Sequence, residues 1–494
     1  MMAAPTIVKA AACLALAMLA GAPALAAEPV AAGLVTVTQL PPPPPHEWAS
    51  LEASINENRV HGNGLVAMPA LEKYLNNLYA KVKASAGVPE WPGQVYISSD
   101  TTLNAHSSAS GNLFLHIALI QSAETEDEIY AVLAHEFAHV YLNHQATYES
   151  HNTASNLGAA ARLFGMFTGK ISGNATGAVK WGLGDTIGAA ESLSHDALIP
   201  VWQRDVEEQA DMAGVYLAMR EKYSYPAGFK TFLERLATIE QRESAAQAAV
   251  LAALPQGANG AAPAAPRRTH ATAQERETLL SERVAPVLPR PRPAPRTAPW
   301  KQALREPQTA EILAHFALLP RIAQAHTAGK HGEALQLAKK AASGATENDA
   351  TMLLTLQNAM QLNGAPPVEQ GKLLAKSRES LQPSWNALRQ SISLMTLPAQ
   401  PALGNEAMGT LFTAFGELPA AMPDTIAFYK QTNYNLGLTP LLARCALYAS
   451  YRNACIDSSK TEQERKDDIA KTKAREEQLG NNAAEKVKKM LKWN

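Results

Sequence analysis

The sequence has no excess of charge of either sign. Its 494 residues include 44 Lys and Arg against 45 Asp and Glu, which gives a formal net charge of −1. Proteins that bind nucleic acid through its phosphates carry a basic excess or a basic stripe, so this class is set aside. A chain of this length exceeds what one hydrophobic core serves, and two or three domains are expected.

Long apolar runs are missing after the first residues. Residues 10–20 form an apolar run that follows Lys9 and ends before Pro23. Small residues follow, and cleavage is expected after Ala26, so residues 1–26 are predicted to be a signal peptide. The run is too short to span a bilayer comfortably. We therefore expect an exported protein of the periplasm.

Cysteine is scarce, with three in the whole chain. Cys13 lies within the apolar run and does not match a lipidation site, which leaves Cys445 and Cys455. In an exported protein such a pair favours a disulfide. Ten residues of continuous helix would separate the two by about 15 Å, so a turn, plausibly at Asn453, is required between them. Two reduced thiols in a core are the alternative.

The pattern His-Glu-Phe-Ala-His at residues 135–139 is typical of a metallopeptidase helix. His135 and His139 lie one turn apart on a helix, so both imidazoles can reach one metal ion. Glu136 then stands beside that metal and can take a proton from a water. A capping box of Thr125 with Glu128 places the pattern in the middle of a helix.

A catalytic zinc site needs a third protein ligand. His144 lies nine residues after His135, about 180° around a helix, and is predicted to be a surface histidine or a support for a ligand. A more suitable candidate is Glu207, on a second amphipathic helix predicted at about residues 202–222. Asp211 shares its face and could accept the free N–H of one of the ligand histidines.

With these motifs the sequence resembles the gluzincin zinc endopeptidases, the family of HtpX, BepA and the CAAX prenyl proteases. It is most similar to the periplasmic, BepA-like branch with a helical C-terminal domain. The resemblance covers residues 62–284. The segments that carry it are 128–144, 204–214, the turn at Asn104 and Ala105, and Gly111, which would open the next strand.

The resemblance implies a zinc endopeptidase with one zinc ion. It assigns Glu136 as the catalytic base and implies that Asp211 supports the metal site. The implied zinc ligands are His135, His139 and Glu207.

The substrate cleft departs from the family pattern. His106 replaces the usual aromatic residue after the Asn-Ala turn, and Ala271 replaces the proline of a Thr-His-Pro element. His270, in that element, would approach the cleft or stabilise an oxyanion, or would be a surface histidine. Residues 112–117, with Leu113 and Leu115, are predicted to form a strand that holds an extended substrate by β-addition.

The predicted fold class is α+β, mostly α: a zincin-type peptidase domain with a small sheet, then an all-α domain. Strands are predicted at residues 94–97 and 112–117, and a helix at residues 67–82. The C-terminal helices are expected to be TPR-like or a plain bundle. The predicted divisions are a Pro-rich segment (27–60), the peptidase domain (61–286, with a disordered insertion at 243–266), a Pro/Arg-rich linker (287–307) and the helical domain (308–494).

Together these features favour cleavage of unfolded or misassembled exported proteins, in quality control of the envelope and outer membrane. The C-terminal helices would present substrates or dock to outer-membrane assembly machinery. The alternative is a chaperone or assembly adaptor with a latent peptidase site. Residues 157–190 are apolar and Gly-rich, and would be a helical hairpin or a mobile flap near the site, with peripheral membrane contact, or else a weakly packed surface loop.

Overall fold

The computed structural model describes residues 35–145, 204–252, 272–397, 399–461, 463–467 and 470–471. The predicted signal peptide, the flap at 157–190, His270 and the greater part of the insertion at 243–266 lie outside the described residues. None of the described helices is long and apolar enough to cross a membrane.

A four-stranded mixed sheet forms the smaller part of the peptidase fold. Its strands are β1 (Leu65–Val66), β2 (Val95–Ser98), β3 (Ala105–Ser107) and β4 (Leu113–His116). The spatial order is β1-β2-β4-β3, with β2 and β4 parallel and the outer pairs antiparallel. Both predicted strands are confirmed.

The strand order corrects the predicted substrate strand. β4, which carries Leu113 and Leu115, pairs with β2 on one side and β3 on the other. Its backbone groups are therefore used within the sheet, and it cannot add a substrate strand. β3 is the edge strand next to it.

Eight α-helices, a π-helical turn and a 3₁₀ turn are described between residues 51 and 304. α4 carries the histidine pattern, and α6 follows directly on a π-helical turn at Pro226–Lys230. The helices are α1 (Leu51–Val60), α2 (Pro69–Ser85), α3 (Ile117–Ser122), α4 (Glu126–Tyr141), α5 (Arg204–Arg220), α6 (Thr231–Ala252), α7 (Ala273–Val284), a 3₁₀ turn (Ala285–Val287) and α8 (Thr297–Leu304).

The first part of the predicted disordered insertion is helical. Residues 243–252 continue α6 as far as Ala252. This stretch is rich in alanine, which has the highest helix propensity, and Pro255 comes only after it. The prediction of disorder was wrong for these ten residues.

α4 is buried along its whole length. Its N-cap is Thr125, whose side chain accepts from the Glu128 backbone N–H, while the Glu128 carboxylate accepts from the N–H of Glu124. Thr125 therefore caps the helix as predicted. The Glu128 carboxylate bonds to the N–H of Glu124, one residue before the N–H of Thr125 that a capping box uses. α2 and α5 pack against α4, which explains why it is apolar around most of its circumference.

The C-terminal region is helical, which confirms the predicted fold class. From α10 onward each helix contacts the next one along the chain; similarity to a TPR stays a prediction. The helices are α9 (Pro307–Phe316), α10 (Leu319–Thr327), α11 (His331–Ala341), α12 (Ala350–Leu362), α13 (Pro367–Ala375), α14 (Trp385–Thr396), α15 (Pro401–Ala414), α16 (Met422–Gln431), α17 (Asn435–Cys445) and α18 (Ala449–Ser458).

The segment predicted as an interdomain linker takes part in the core. Trp300 on α8 is completely buried, and its indole N–H donates to the carbonyl of Ala123 at 2.8 Å. One hydrophobic cluster runs from Val35 through the peptidase helices to Ala359. The Pro/Arg alternation predicts a spacer, but Trp300, which follows it in the sequence, anchors the segment to the peptidase helices.

Cys445 and Cys455 form a disulfide, with their Cα atoms 6.5 Å apart. The expected turn between them is at residues 446–448, where α17 ends and α18 begins. Asn453 lies inside α18, so its predicted role as the turn residue was wrong.

Candidate metal centre

Three side chains from two helices converge on one point. His135 and His139 of α4 approach each other with their Nε2 atoms 3.2 Å apart. Glu207 of α5 places Oε2 3.6 Å from Nε2 of His135 and Oε1 3.6 Å from Nε2 of His139. All three residues are buried, and they form a potential metal-binding group within the described chain.

The spacing of these atoms fits a small tetrahedral metal ion. Bonds of about 2.0–2.1 Å to nitrogen and oxygen place two tetrahedral ligand atoms roughly 3.3–3.4 Å apart. The observed separations of 3.2, 3.6 and 3.6 Å bracket that value. Two histidines and one carboxylate are also the donor set of many catalytic zinc sites.

Gly214 lets α5 approach α4 closely enough for Glu207 to reach the histidines. A Cβ atom at this position would lie 3.1 Å from the backbone nitrogen of His135 and 2.6 Å from the Phe229 ring. Any side chain would therefore push the helices apart. Glu207 and Asp211 share the face of α5 that this contact presents to α4.

Asp211 lies behind His135. Its Oδ1 atom is 2.9 Å from Nδ1 of His135. A histidine that binds a metal through Nε2 carries its proton on Nδ1, and an acceptor there fixes the tautomer and ring orientation. Burial lowers the pKa of His135, but the hydrogen bond and charge of Asp211 outweigh burial and raise it overall.

Arg276 on α7 holds both carboxylates in place, and the sequence analysis did not find it. It donates through Nε to Oδ2 of Asp211 at 2.9 Å and through Nη2 to Oδ1 at 2.7 Å. Its Nη1 lies 2.9 Å from Oε2 of Glu207. Burial raises the pKa of Asp211, but the charge of Arg276 prevails and holds that pKa well below its usual range.

His144 lies behind His139, which agrees with the second of its two predicted roles, a support for a ligand, but not with the predicted position on the far side of the helix. The two Nδ1 atoms are 3.0 Å apart, and His144 is buried. The 180° estimate assumed a continuous helix, whereas α4 ends at Tyr141 and Asn143 has a φ of 53°. This left-handed residue turns the chain back over the helix end.

The imidazole of His144 is suited to accept from His139. Burial lowers its pKa to about 4, with the nearby charge of His135 acting in the same direction and a hydrogen bond with Gln209 opposing them. His144 is therefore neutral at neutral pH. A metal held through Nε2 of His139 would leave the proton on Nδ1, which would then donate to His144.

Glu136 lies on the same helix and is buried. Burial is the main reason that its pKa is raised to about 7, and the charge of Glu207 adds to this effect. The hydroxyl of Ser107 on β3 hydrogen-bonds to Glu136 and opposes the rise. A carboxylate whose pKa lies near neutrality can both take up and release a proton during a reaction.

Among the described residues, Asn104, His106 and Gly111 have partners other than the three metal-binding side chains. The Asn104 side chain accepts from the N–H of Ala105, and His106 stacks on Phe114 with Nε2 3.0 Å from Asn58 of α1. Gly111, with φ of 87°, lies in the turn before β4, where a Cβ would be 2.8 Å from the carbonyl of Pro92.

A buried helix with two histidines and a glutamate, a carboxylate ligand from a second helix and a small mixed sheet together define a metallopeptidase domain. Residues 69–284 match Peptidase family M48. The part of the chain that holds the metal centre is therefore similar to peptidase family M48.

Curated relatives of the chain are named as proteases. The beta-barrel assembly-enhancing protease of Yersinia pestis is 29% identical over 174 residues, which are 35% of this chain and 34% of that protein. The beta-barrel assembly-enhancing protease of Escherichia coli (strain K12) is 26% identical over 173 residues, again 35% and 34%. The match thus spans about a third of the length of these relatives.

Proposed function

We propose that this protein is a zinc-dependent endopeptidase that cleaves unfolded or misassembled exported proteins. The observation that carries the proposal is the convergence of His135, His139 and Glu207, with Glu136 on the same helix. One zinc ion held by these three side chains would leave a fourth position for water or substrate.

Zinc, when bound, polarises the scissile carbonyl and makes a nearby water acidic enough to lose a proton at neutral pH. Glu136 accepts that proton and later delivers it to the leaving amine. Its burial supports both steps, because a pKa of about 7 makes the two protonation states similar in free energy. The hydroxyl of Ser107 lowers the pKa of this carboxyl group and so favours the ionised form that accepts the proton.

Asp211, His144 and Arg276 hold the ligands rather than the substrate. Asp211 and His144 each face the Nδ1 atom of one ligand histidine. The guanidinium of Arg276 balances the two carboxylates, which would otherwise repel each other in a buried site.

The open edge of β3 is the best candidate for the substrate cleft. It is an edge strand, and Ser107 within it contacts Glu136. Pairing with an edge strand reads the substrate's backbone more than its side chains. An extended, unfolded segment is therefore a more suitable substrate than a folded surface.

The cellular setting follows from the predicted signal peptide and the names of the relatives. Export to the periplasm and similarity to proteases named for β-barrel assembly support a role in outer-membrane protein quality control. The C-terminal helices would contact the assembly machinery or present its clients. Peripheral contact with the membrane belongs to the same proposal.

A second candidate function is that of a chaperone or assembly adaptor with a latent peptidase site. It is favoured by large apolar side chains exposed in the C-terminal helical region, both on helices and in the turns between them, which can bind unfolded chains. The most exposed are Leu381, Leu403, Leu436 and Leu447, at 70%, 55%, 84% and 79%.

Replacing Glu136 separates the two functions. We expect Glu136→Gln to retain zinc and to reduce cleavage of casein by about 10²- to 10⁴-fold, because the proton acceptor is lost. Glu333→Gln, an exposed change on α11, serves as the control and should cleave like the wild type. Cleavage and metal content are measured on the same preparations.

Undiminished hydrolysis by Glu136→Gln would rule out the proposed mechanism. If neither the wild type nor the variant cleaves casein while both suppress its aggregation equally, the adaptor function is favoured.

A further inference from the structure

The edge strand β3 has one row of backbone groups that does not face the sheet. Its register with β4 pairs Ala105 with Leu115 and Ser107 with Leu113. The flanking hydrogen bonds run from His116 N to Asn104 O and from Ser108 N to Asn112 O. Successive residues of a strand direct their N–H and C=O groups to opposite sides. The backbone groups of Ala105 and Ser107 therefore point to the open edge.

The open-edge carbonyl of Ser107 has a partner from outside the sheet. The side-chain amide of Gln145 donates to it through Nε2 at 2.6 Å. The same residue, Ser107, bonds through its hydroxyl to Glu136. Gln145 therefore uses the outward-facing carbonyl of Ser107, the residue of β3 that lies next to the proposed catalytic base.

The turn after α4 brings Gln145 to this place. Asn143 adopts the left-handed conformation and its side chain donates to the carbonyl of Pro45 at 3.1 Å, which fixes the turn. His144 then faces His139, and Gln145 faces β3. An amide N–H on a side chain is chemically equivalent to the peptide N–H of an extended substrate.

We propose that Gln145 is a specificity-determining residue, whose amide takes the place of a substrate N–H on the carbonyl of Ser107. This inference rests on the proposed function and on β3 as its substrate strand. A substrate must displace Gln145 and supply an N–H of its own at this position. Chains that cannot do so, such as those with proline there, leave the Ser107 carbonyl without a donor and are discriminated against.

Removal of the amide should strengthen substrate binding. The probe is a fluorescein-labelled casein fragment, and the protein is the full-length, zinc-loaded chain with Glu136→Gln to prevent cleavage. We expect Gln145→Ala to lower the dissociation constant about 2- to 10-fold, the range for one net hydrogen bond. Gln145→Glu, which keeps the shape and loses the donor, is the second variant.

Gln121→Ala is the matched control. Gln121 also donates a side-chain amide to a backbone carbonyl, but that carbonyl belongs to Leu313 on α9 and not to the sheet. Its removal should leave the dissociation constant unchanged. In the cleavage-competent protein, Gln145→Ala should lower KM with little change in kcat.

An unchanged or weaker affinity in both Gln145 variants, with zinc retained, overturns the inference. Absence of binding in every variant does the same. If the wild type binds the fragment but does not cleave casein, the proposed function fails, while the comparison of affinities still decides the role of Gln145.

Discussion

At the scale of the residue, the two ligand histidines differ in what supports them. Asp211 faces His135 with a carboxylate, and His144 faces His139 with a neutral imidazole. Acceptors of this kind hold the ring in position and make it a better ligand. Both supports are buried, so neither can be replaced by bulk water without opening the site.

Loss of the imidazole at residue 144 should weaken metal binding. We expect His144→Ala to reduce zinc affinity about 10- to 100-fold, the usual effect of removing a partner of a ligand histidine. Affinity is measured by competition with a chromophoric chelator. His331→Ala, on α11 and remote from the site in sequence, is the control. Equal affinity in the His144 variant and the wild type would show that His144 does not support the ligand.

The ligand candidates could be predicted because helical spacing places them on common faces. His144 could not be placed, since its position depends on where α4 ends and on the left-handed turn at Asn143. Arg276 carried no signal at all: it comes from a third helix, and only the packing of α7 against α5 brings it to Glu207.

At the scale of the element, α4 depends on its N-cap. Thr125 accepts from the N–H of Glu128 and donates through its hydroxyl to the carbonyl of Ala227, which ties the helix start to the π-helical turn. The cap therefore holds two elements of the site region together.

Removal of this cap should destabilise the fold measurably. We expect Thr125→Ala to lower the free energy of unfolding by about 1–2 kcal/mol, whereas Thr125→Ser should retain most of it. Thr278→Ala on α7 is the control, because that hydroxyl bonds only to its own helix at an exposed position. Urea unfolding monitored by circular dichroism gives the three values. If Thr125→Ala lowered the free energy of unfolding no more than Thr278→Ala does, the role of Thr125 as a stabilising N-cap would be contradicted.

Helices and strands could be located from periodicity, but their neighbours could not. The apolar run around Leu113 identifies a strand without revealing that β3 pairs beside it. Along the chain β3 comes between β2 and β4, but in the sheet β4 lies between β2 and β3. This order depends on the path of the loops, which periodicity does not give. For the same reason the strand proposed to bind substrate is β3, and not β4 as the sequence predicted.

At the scale of the whole molecule, the peptidase part and the first C-terminal helices share one core. Trp300 on α8 contacts Tyr74 of α2, and the hydrophobic cluster continues to Ala359 on α12. α1 packs on α14, and Val60 belongs to the second cluster with Trp385. A composition-based linker prediction does not capture such long-range contacts.

Trp300 should therefore stabilise more than its own segment. We expect Trp300→Ala to lower the free energy of unfolding by about 3–5 kcal/mol, as for other fully buried aromatic residues. Zinc release and the loss of helix should both shift to lower urea concentration, and by the same amount. Urea unfolding followed by circular dichroism and by a zinc indicator tests this. Destabilisation of the C-terminal helices with an unchanged zinc-release midpoint would show two independent units instead.

Removal of residues 300–494 would also remove Trp300 from the peptidase core. A shortened chain of this kind is expected to lose stability as well as the C-terminal helices. The adaptor function is therefore tested in the full chain with Glu136→Gln.

The most direct test of the metal centre compares the metal content of Glu207→Ala with that of Glu208→Ala. Glu208 is the adjacent glutamate on α5 and pairs with Arg283 at 2.5 Å, not with the histidines. After dialysis against a zinc buffer, we predict one zinc ion per chain in the wild type and in Glu208→Ala, and a large loss in Glu207→Ala. Full and equal zinc occupancy in all three proteins would contradict the assignment of Glu207 as the third ligand.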